Sequence, residues 1–282
     1  GAMRAIDFGK KVLLIEKKKI GGAGVYNGVL ASKTLWELSQ KVSSIREMIP
    51  DYQVNYPEIV STLKEAVFER KTQMTVHLNL LQKQHSELFC YEKGSASFID
   101  KHTISIKKED GSNKIVSADN ILIATGSRPR YLPHIAIDEQ IIMTSDGVKN
   151  LTELPKSLVV LGAGVIGCEF ATIFSNMGRT KVYLIDKAER ILPFEDEDVA
   201  NLISESLEKQ GATIHHGSSL KRMDIKNGKV EYELEYRDGK TEIINVDKAL
   251  VSVGRVANVE GLGLENAGVK LNDRGSVWDD DT

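Results

Sequence analysis

The chain has 282 residues, 41% hydrophobic and 27% charged, enough apolar material to bury the cores of two ordinary globular domains. A net charge of −3 gives no basis for a nucleic-acid or anionic-membrane partner, and no apolar run approaches the ~20 residues of a membrane span. Cys90 and Cys168 stand far apart, which excludes a disulfide framework, a C-x-x-C pair and a cysteine zinc site; with no metal expected, free thiols and no secretory signal in view, the expected compartment is the cytoplasm.

Arg4–Phe8 reads as the end of a helix stopped by Gly9, and Lys11–Glu16 (KVLLIE) as a buried strand ending in an acid. Gly21, Gly22, Gly24 and Gly28 predict a flexible loop, after which Ser32 is placed to cap a helix running to about Met48. From Tyr56 to about Leu88, apolar residues at Ile59, Leu63, Ala66, Val67, Met74, Leu78 and Leu81 predict an amphipathic helix, expected to cover its own domain, with docking on a partner as the other reading. Short strands are expected at Phe89–Tyr91, Ser97–Ile99, His102–Lys107 and Lys114–Ser117, with Asp110-Gly111 as a hairpin turn. Asn120–Ala124 (NILIA) reads as another buried strand. Beyond Ser157 the order strand, glycine turn, helix, strand, helix, strand is that of a βαβ series, followed by a meander over roughly Ser219–Val246 and a last buried strand at Lys248–Val253.

The strongest motif lies between Ser157 and Asp186. The strand Leu158–Leu161 runs directly into Gly162-Ala163-Gly164-Val165-Ile166-Gly167, a helix continues to Met177, and a second strand, Lys181–Ile185, ends at Asp186. Each part has a task in holding a dinucleotide. Gly162 permits the tight turn, Gly164 lets a pyrophosphate approach the backbone, and Gly167 lets helix pack on strand. The helix N-terminus presents unpaired N–H groups and a positive dipole end to the phosphates. Asp186 stands where an acid accepts hydrogen bonds from the ribose 2′-OH and repels a 2′-phosphate. The expected ligand is therefore NAD, with NADP possible because Lys187 and Arg190 are close by.

The KVLLIE strand with its Gly-Gly loop, Ser32-Lys33, Ala124-Thr125-Gly126 and the glycine fingerprint occur in an order that resembles the pyridine nucleotide–disulfide oxidoreductase family, in particular its dihydrolipoamide dehydrogenase and soluble transhydrogenase branches. Gly94-Ser95-Ala96-Ser97-Phe98, Gly162–Phe174 and Val253-Gly254-Arg255 carry the likeness to the transhydrogenases. The resemblance implies an α/β protein of two Rossmann-like domains with parallel sheets and β-meanders. A partial FAD domain would cover 1–143 with a return segment at 266–282, and an NAD(P) domain 144–265. It also implies that Glu16 binds the FAD adenosine ribose, Gly21 and Gly22 lie beside the flavin phosphates, Gly94 and Ala96 near the adenine, and Ala124, Thr125 and Gly126 against FAD. Lys33 would stand near flavin N5 with Glu169 as its ion-pair partner, and Gly254 and Arg255 would line the nicotinamide site.

The sequence departs from the disulfide-reducing pattern in one respect above all: Gly24 and Val29 occupy the places of the two redox cysteines. Without a thiolate there is no dithiol relay. The family's first glycine fingerprint, its Gly-Asp segment and its dimerisation domain do not occur in these residues, so this stretch is expected to carry only part of the FAD site. The full-length family pattern is a homodimer; a complementing chain is the other expectation. The function implied is FAD-dependent hydride transfer between NAD(P)H and a small-molecule electron acceptor, of transhydrogenase or diaphorase type, with no general acid–base constellation among the six histidines. The lost cysteines also suit a second reading, a non-catalytic nucleotide-binding or interaction protein.

Overall fold

The computed structural model describes residues 1–278. Helix α1 (Ala2–Asp7) gives way at Gly9 to strand β1 (Val12–Glu16). Where a flexible glycine loop was expected, the chain forms a short helix, α2 (Gly22–Tyr26), and α3 (Val29–Met48) starts from Gly28 rather than from Ser32. Gly21 and Gly22 make the reversal themselves, with φ of 94° and 47°. The N–H of Ser32 already donates to the Gly28 carbonyl at 3.0 Å, which places Ser32 inside the first turn and not at its cap. Next comes α4 (Tyr56–Gln84), with Pro57 in the first turn, where no intrahelical N–H bond is lost.

The remaining elements are β2 (Phe89–Lys93), β3 (Ser95–Asp100), β4 (Thr103–Lys107), β5 (Asn113–Ser117), β6 (Ser127–Pro129), β7 (Ile142–Met143), β8 (Ser157–Leu161), α5 (Val165–Met177), β9 (Lys181–Ile185), α6 (Glu197–Lys209), β10 (Thr213–His215), β11 (Ser218–Lys226), β12 (Lys229–Tyr236), β13 (Thr241–Val246), β14 (Lys248–Val251) and β15 (Arg255–Ala257). They form two compact units. One holds Gly1–Val25, Phe68–Arg128 and the described residues from Val256 on; the other holds Tyr26–Val67 and Pro129–Arg255.

The larger unit is built on a parallel sheet of order β10-β9-β8-β14-β7. Its strands read SLVVL, KVYLI and KALV because both faces are covered. Alternate residues divide between two cores. Leu158, Val160, Val182, Leu184 and Leu250 join Ala31, Leu35, Phe170 and Phe174 from α3 and α5. Val159, Leu161, Ile185, Ala249 and Val251 join Met223, Val230, Tyr232 and Leu234 of the antiparallel meander β11-β12-β13. The start of α4 belongs here because Ile59 and Leu63 share the first of these cores. Asp196 caps α6, its carboxylate accepting the N–H groups of Asp198 and Val199.

The smaller unit has a two-stranded parallel sheet, β1-β2, and a meander, β3-β4-β5. The apolar run Asn120–Ala124 is not the buried strand its sequence suggests. Among the described residues no strand pairs with it, Ile121 and Ile123 lean on the core of Phe98, Ile104, Ile106 and Leu264, and Leu122 is 77% exposed. An apolar run becomes a buried parallel strand only when backbone partners and cover on both faces are present, and among the described residues β1 is hydrogen-bonded to β2 alone.

The two apolar environments predict different sensitivities. Ile106→Ala, at a fully buried site, should destabilise this unit by about 2–5 kcal/mol in denaturant unfolding, whereas Leu122→Ala should stay within about 0.5 kcal/mol. Equal losses would mean that Asn120–Ala124 is buried after all.

Candidate nucleotide-binding site

The C-terminal end of β8 turns straight into α5, and the turn leaves little freedom. Gly162 has φ of 98°, and a side chain there would meet the Ser252 carbonyl oxygen at 2.7 Å. Gly167, in the first turn of α5, faces the Gly162 carbonyl so closely that a Cβ would lie 1.9 Å from that oxygen. Gly164 differs: none of the described residues comes within 4 Å of where its Cβ would be. It is the N-cap of α5 and offers no side-chain cap to the helix. Val165 is exposed and Ile166 half-buried against the core. The backbone N–H groups at the positive end of α5 thus border open space, which glycine at 164 leaves unfilled.

Asp186, at the end of β9, is tied to this turn. One carboxylate oxygen accepts the Ala163 N–H at 2.7 Å and the other accepts the Ala188 N–H at 2.9 Å. Each oxygen keeps a further lone pair, so the pinned carboxylate can still accept from a hydroxyl. Arg190, which the sequence offered as a cation for a 2′-phosphate, is committed elsewhere. Its guanidinium donates to the carbonyls of Leu192 and Glu195 at 3.0 and 2.9 Å and to Pro193 at 3.4 Å, closing the loop in which Leu192 takes a positive φ of 48°. Cys168 lies beneath the turn with Sγ 3.4 Å from the Ala163 oxygen, and burial, aided by the Asp186 charge, pushes its thiol up to about 12. His215, on β10, is held at Nδ1 by the Tyr236 hydroxyl at 2.8 Å, and that hydroxyl donates to Glu242 at 2.7 Å. Burial lowers the imidazole pKa below its usual range.

In the same unit Lys33 Nζ lies 2.7 Å from Glu169 Oε1. Lys33 is 57% exposed, and such pairs contribute about 0–1 kcal/mol to stability, so the consequence of this one is where it holds an ammonium. Its geometry follows from the packing of α3 along α5. The buried Asn176 amide donates to Ser39 Oγ at 3.2 Å, Ser39 donates to the Trp36 carbonyl at 2.7 Å, and the Arg46 guanidinium lies against Gly178 at the end of α5. Lys33, Ser39 and Arg46 thereby meet Glu169, Asn176 and Gly178 in the same order, fixing the register of the two helices. Gly254 turns with φ of 105°, its carbonyl accepting the Arg130 N–H at 3.0 Å, and Arg255 follows half-buried.

The smaller unit gathers several of the other expected positions. Gly94 N–H donates to the Glu16 carbonyl at 3.0 Å, and a side chain at Gly94 would strike Ile106. Ala96 pairs with Ile106 across β3 and β4. Glu16 and Gly21, with Arg70, Gln73 and His77 of α4, line a cavity of about 380 Å³. Gly22 opens α2 beyond it. Ala124 and Thr125 are exposed, and Asn258 holds this segment, its amide donating to the Thr125 carbonyl and its N–H to that of Gly126. Asn258, like Ser252, has no signature in the sequence, because a lone polar residue after a strand gives no periodic or motif signal. Position 24 is exposed in α2, and Val29 is exposed as the first residue of α3.

The whole chain, residues 1–282, matches the family model described as pyridine nucleotide-disulphide oxidoreductase. The chain belongs to this family. Dihydrolipoyl dehydrogenase of Bacillus subtilis (strain 168) is 35% identical over 280 residues, covering 97% of this chain and 59% of the relative. The soluble pyridine nucleotide transhydrogenase of Pseudomonas aeruginosa (strain LESB58) is 31% identical over 281 residues, covering 98% and 59%. Among solved structures, LpdA of Mycobacterium tuberculosis superposes with a TM-score of 0.84 at 27% identity, covering 97% of this chain and 59% of that one. The HOCl-induced flavoprotein disulfide reductase RclA of Escherichia coli gives 0.82 at 27% identity, covering 99% and 59%. The chain therefore spans 58–59% of the length of these pyridine nucleotide-disulphide oxidoreductases. The family typically binds FAD and NAD(P). In a family named for disulphide chemistry, both cysteines here are free, Cys90 exposed and Cys168 buried. Among the described residues no helix is long and apolar enough to cross a membrane, and no cluster of His, Cys, Asp or Glu is arranged to hold a metal ion.

Two measurements probe this geometry. Ser39→Ala leaves the Asn176 amide, 2% exposed, without its partner and should cost about 1–3 kcal/mol of unfolding free energy. A neutral thiol reagent near pH 8 should label Cys90 in the native chain and reach Cys168 only after denaturation, because a buried thiol with its pKa at about 12 supplies almost no thiolate.

Proposed function

We propose that this chain is the nucleotide-binding part of an NAD(H)-dependent flavoprotein oxidoreductase of transhydrogenase or diaphorase type, which moves hydride without a protein dithiol. The observation that carries the reading is the uncapped start of α5 opening on the empty space at Gly164, with Asp186 fixed beside it. The residues fit a nicotinamide dinucleotide. N–H groups of Gly164, Val165, Ile166 and Gly167 would receive the pyrophosphate, and Asp186 the ribose hydroxyls. Asp186 would repel a 2′-phosphate and Arg190 is spent on carbonyls, which together favour NAD over NADP.

For FAD the described residues fit in part. Glu16 and Gly21 line a cavity, Gly94 and Ala96 stand at the adjoining strand ends, and Ala124–Gly126 form an exposed segment, but no second glycine cradle is present among them. Bound flavin supplies the ring that exchanges hydride with nicotinamide. Glu169 would keep the Lys33 ammonium in a fixed place, a cation suited to stabilising negative charge that develops on an electron-accepting ring. Gly24 and Val29 in place of cysteines favour the transhydrogenase branch over dihydrolipoyl oxidation, since no thiolate is available there to pass electrons to a disulfide. Gly254 and Arg255 would border the nicotinamide. The electron acceptor would be a small molecule or a second nicotinamide nucleotide; the expected assembly is the homodimer of the full-length family pattern or a pairing with a complementing chain.

The test is titration of the purified chain with NADH and NADPH, followed by nucleotide fluorescence. NADH should bind more tightly, and Asp186→Ala should weaken NADH by about 10- to 100-fold, the loss of hydrogen bonds to a charged acceptor, while narrowing the difference from NADPH. A chain that binds neither nucleotide, or an Asp186→Ala variant with undiminished NADH affinity, overturns the reading.

A further inference from the structure

The sheet of the larger unit changes direction at β8. From β8 the chain winds outward to β9 and β10 on one side and later returns as β14 on the other. In open α/β sheets ligands lie across the carboxyl ends of the strands at such a reversal. A dinucleotide seated there would be divided, with one half toward the β8–β9 side and Asp186 and the other toward the crevice between β8 and β14. The segment that leaves β14, Ser252-Val253-Gly254-Arg255, follows the carboxyl end of that strand and would border that second half.

Ser252 joins the two sides. Its N–H donates to the Leu161 carbonyl at 2.8 Å, continuing the β14–β8 ladder past its end. Its hydroxyl lies 3.0 Å from the Leu161 oxygen and 2.9 Å from the Gly162 oxygen, and its single proton is shared between them. The hydroxyl fits because position 167 is glycine; a Cβ there would stand 2.8 Å from Ser252 Oγ. The carbonyl it grips belongs to the residue that makes the phosphate turn, and its own backbone carbonyl is the atom that a side chain at 162 would strike. Among the described residues Ser252, the residue after β14, is the side chain seen bonding to the Gly162 carbonyl.

We infer that Ser252 is a positioning residue that sets the distance between the pyrophosphate turn after β8 and the turn after β14, so that both halves of one dinucleotide are bound together. This rests on the nucleotide-binding reading above. A serine needed only for folding would lower stability and leave the balance between the two halves of the ligand unchanged. A serine that couples two turns governs how much the second half of the ligand adds to the first.

Calorimetric titration with NAD⁺ and with ADP-ribose, which lacks the nicotinamide, separates the two cases. In the wild-type chain NAD⁺ should bind more tightly than ADP-ribose. In Ser252→Ala, checked for folding by circular dichroism, NAD⁺ should weaken by about tenfold, the equivalent of one hydrogen bond, with ADP-ribose changed much less, so that the ratio of affinities falls toward one. Ser252→Cys, nearly the same size but a weak donor, should show the same collapse and serves if the alanine variant does not fold. A ratio unchanged by both substitutions, or one already near one in the wild type, overturns the inference. A wild-type chain that binds neither ligand overturns instead the nucleotide reading beneath it.

Discussion

The larger unit depends on one close approach, that of the first turn of α5 to the carbonyl of Gly162. A side chain at position 167 would lie 1.9 Å from that oxygen, so helix and strand can pack at this spacing only with glycine. The approach sets α5 down on β8 with its N-terminus at the carboxyl end of this central strand, and the rest follows from it. α5 carries Glu169 to Lys33 and Asn176 to Ser39, which fixes α3 alongside. Asp186 and Ser252 then hold the turn from the two neighbouring strands, one through the Ala163 N–H and the other through the Gly162 carbonyl. A turn tied on both sides loses little freedom when a ligand arrives, which is how preorganised sites gain affinity.

The sequence made this part legible because its signal is redundant. The apolar runs of β8, β9 and β14, the glycine spacing and the terminal Asp186 each point to the same unit. The partners of those residues were not legible. Whether Arg190 faces a phosphate or folds back on carbonyls depends on the path of the loop from Arg190 to Glu195, and the positive φ at Leu192 has no sequence signature, because leucine seldom adopts it. The hydroxyl of Ser252 is a similar case: nothing in its sequence neighbours marks the carbonyl it meets 90 positions away.

The smaller unit shows the opposite failure. KVLLIE and NILIA have the same apolar character, yet the first is a strand and the second is not. Composition states what a segment would bury if it were covered, while a backbone partner decides whether it becomes a strand at all. Val12–Glu16 has β2 beside it; Asn120–Ala124 has no strand beside it among the described residues, and Leu122 remains in solvent. The glycines from Gly21 to Gly28 misled in a different way. Glycine-rich sequence suggests mobility, but here two positive φ angles start a helix, and positions 24 and 29, where relatives that reduce disulfides would need thiols, are helical surface.

What approaches the start of α5 decides whether this turn is a dinucleotide site. Amide NMR of the chain titrated with NAD⁺ reads that surface directly. The N–H resonances of Ala163, Gly164, Val165, Ile166 and Gly167 should shift together with that of Ala188, beside Asp186, while amides of the smaller unit's meander at Thr103–Lys107 stay in place. If the amides of α5 stay in place while NAD⁺ binds elsewhere, or if none moves at saturating nucleotide, the assignment of this turn as the dinucleotide site is wrong.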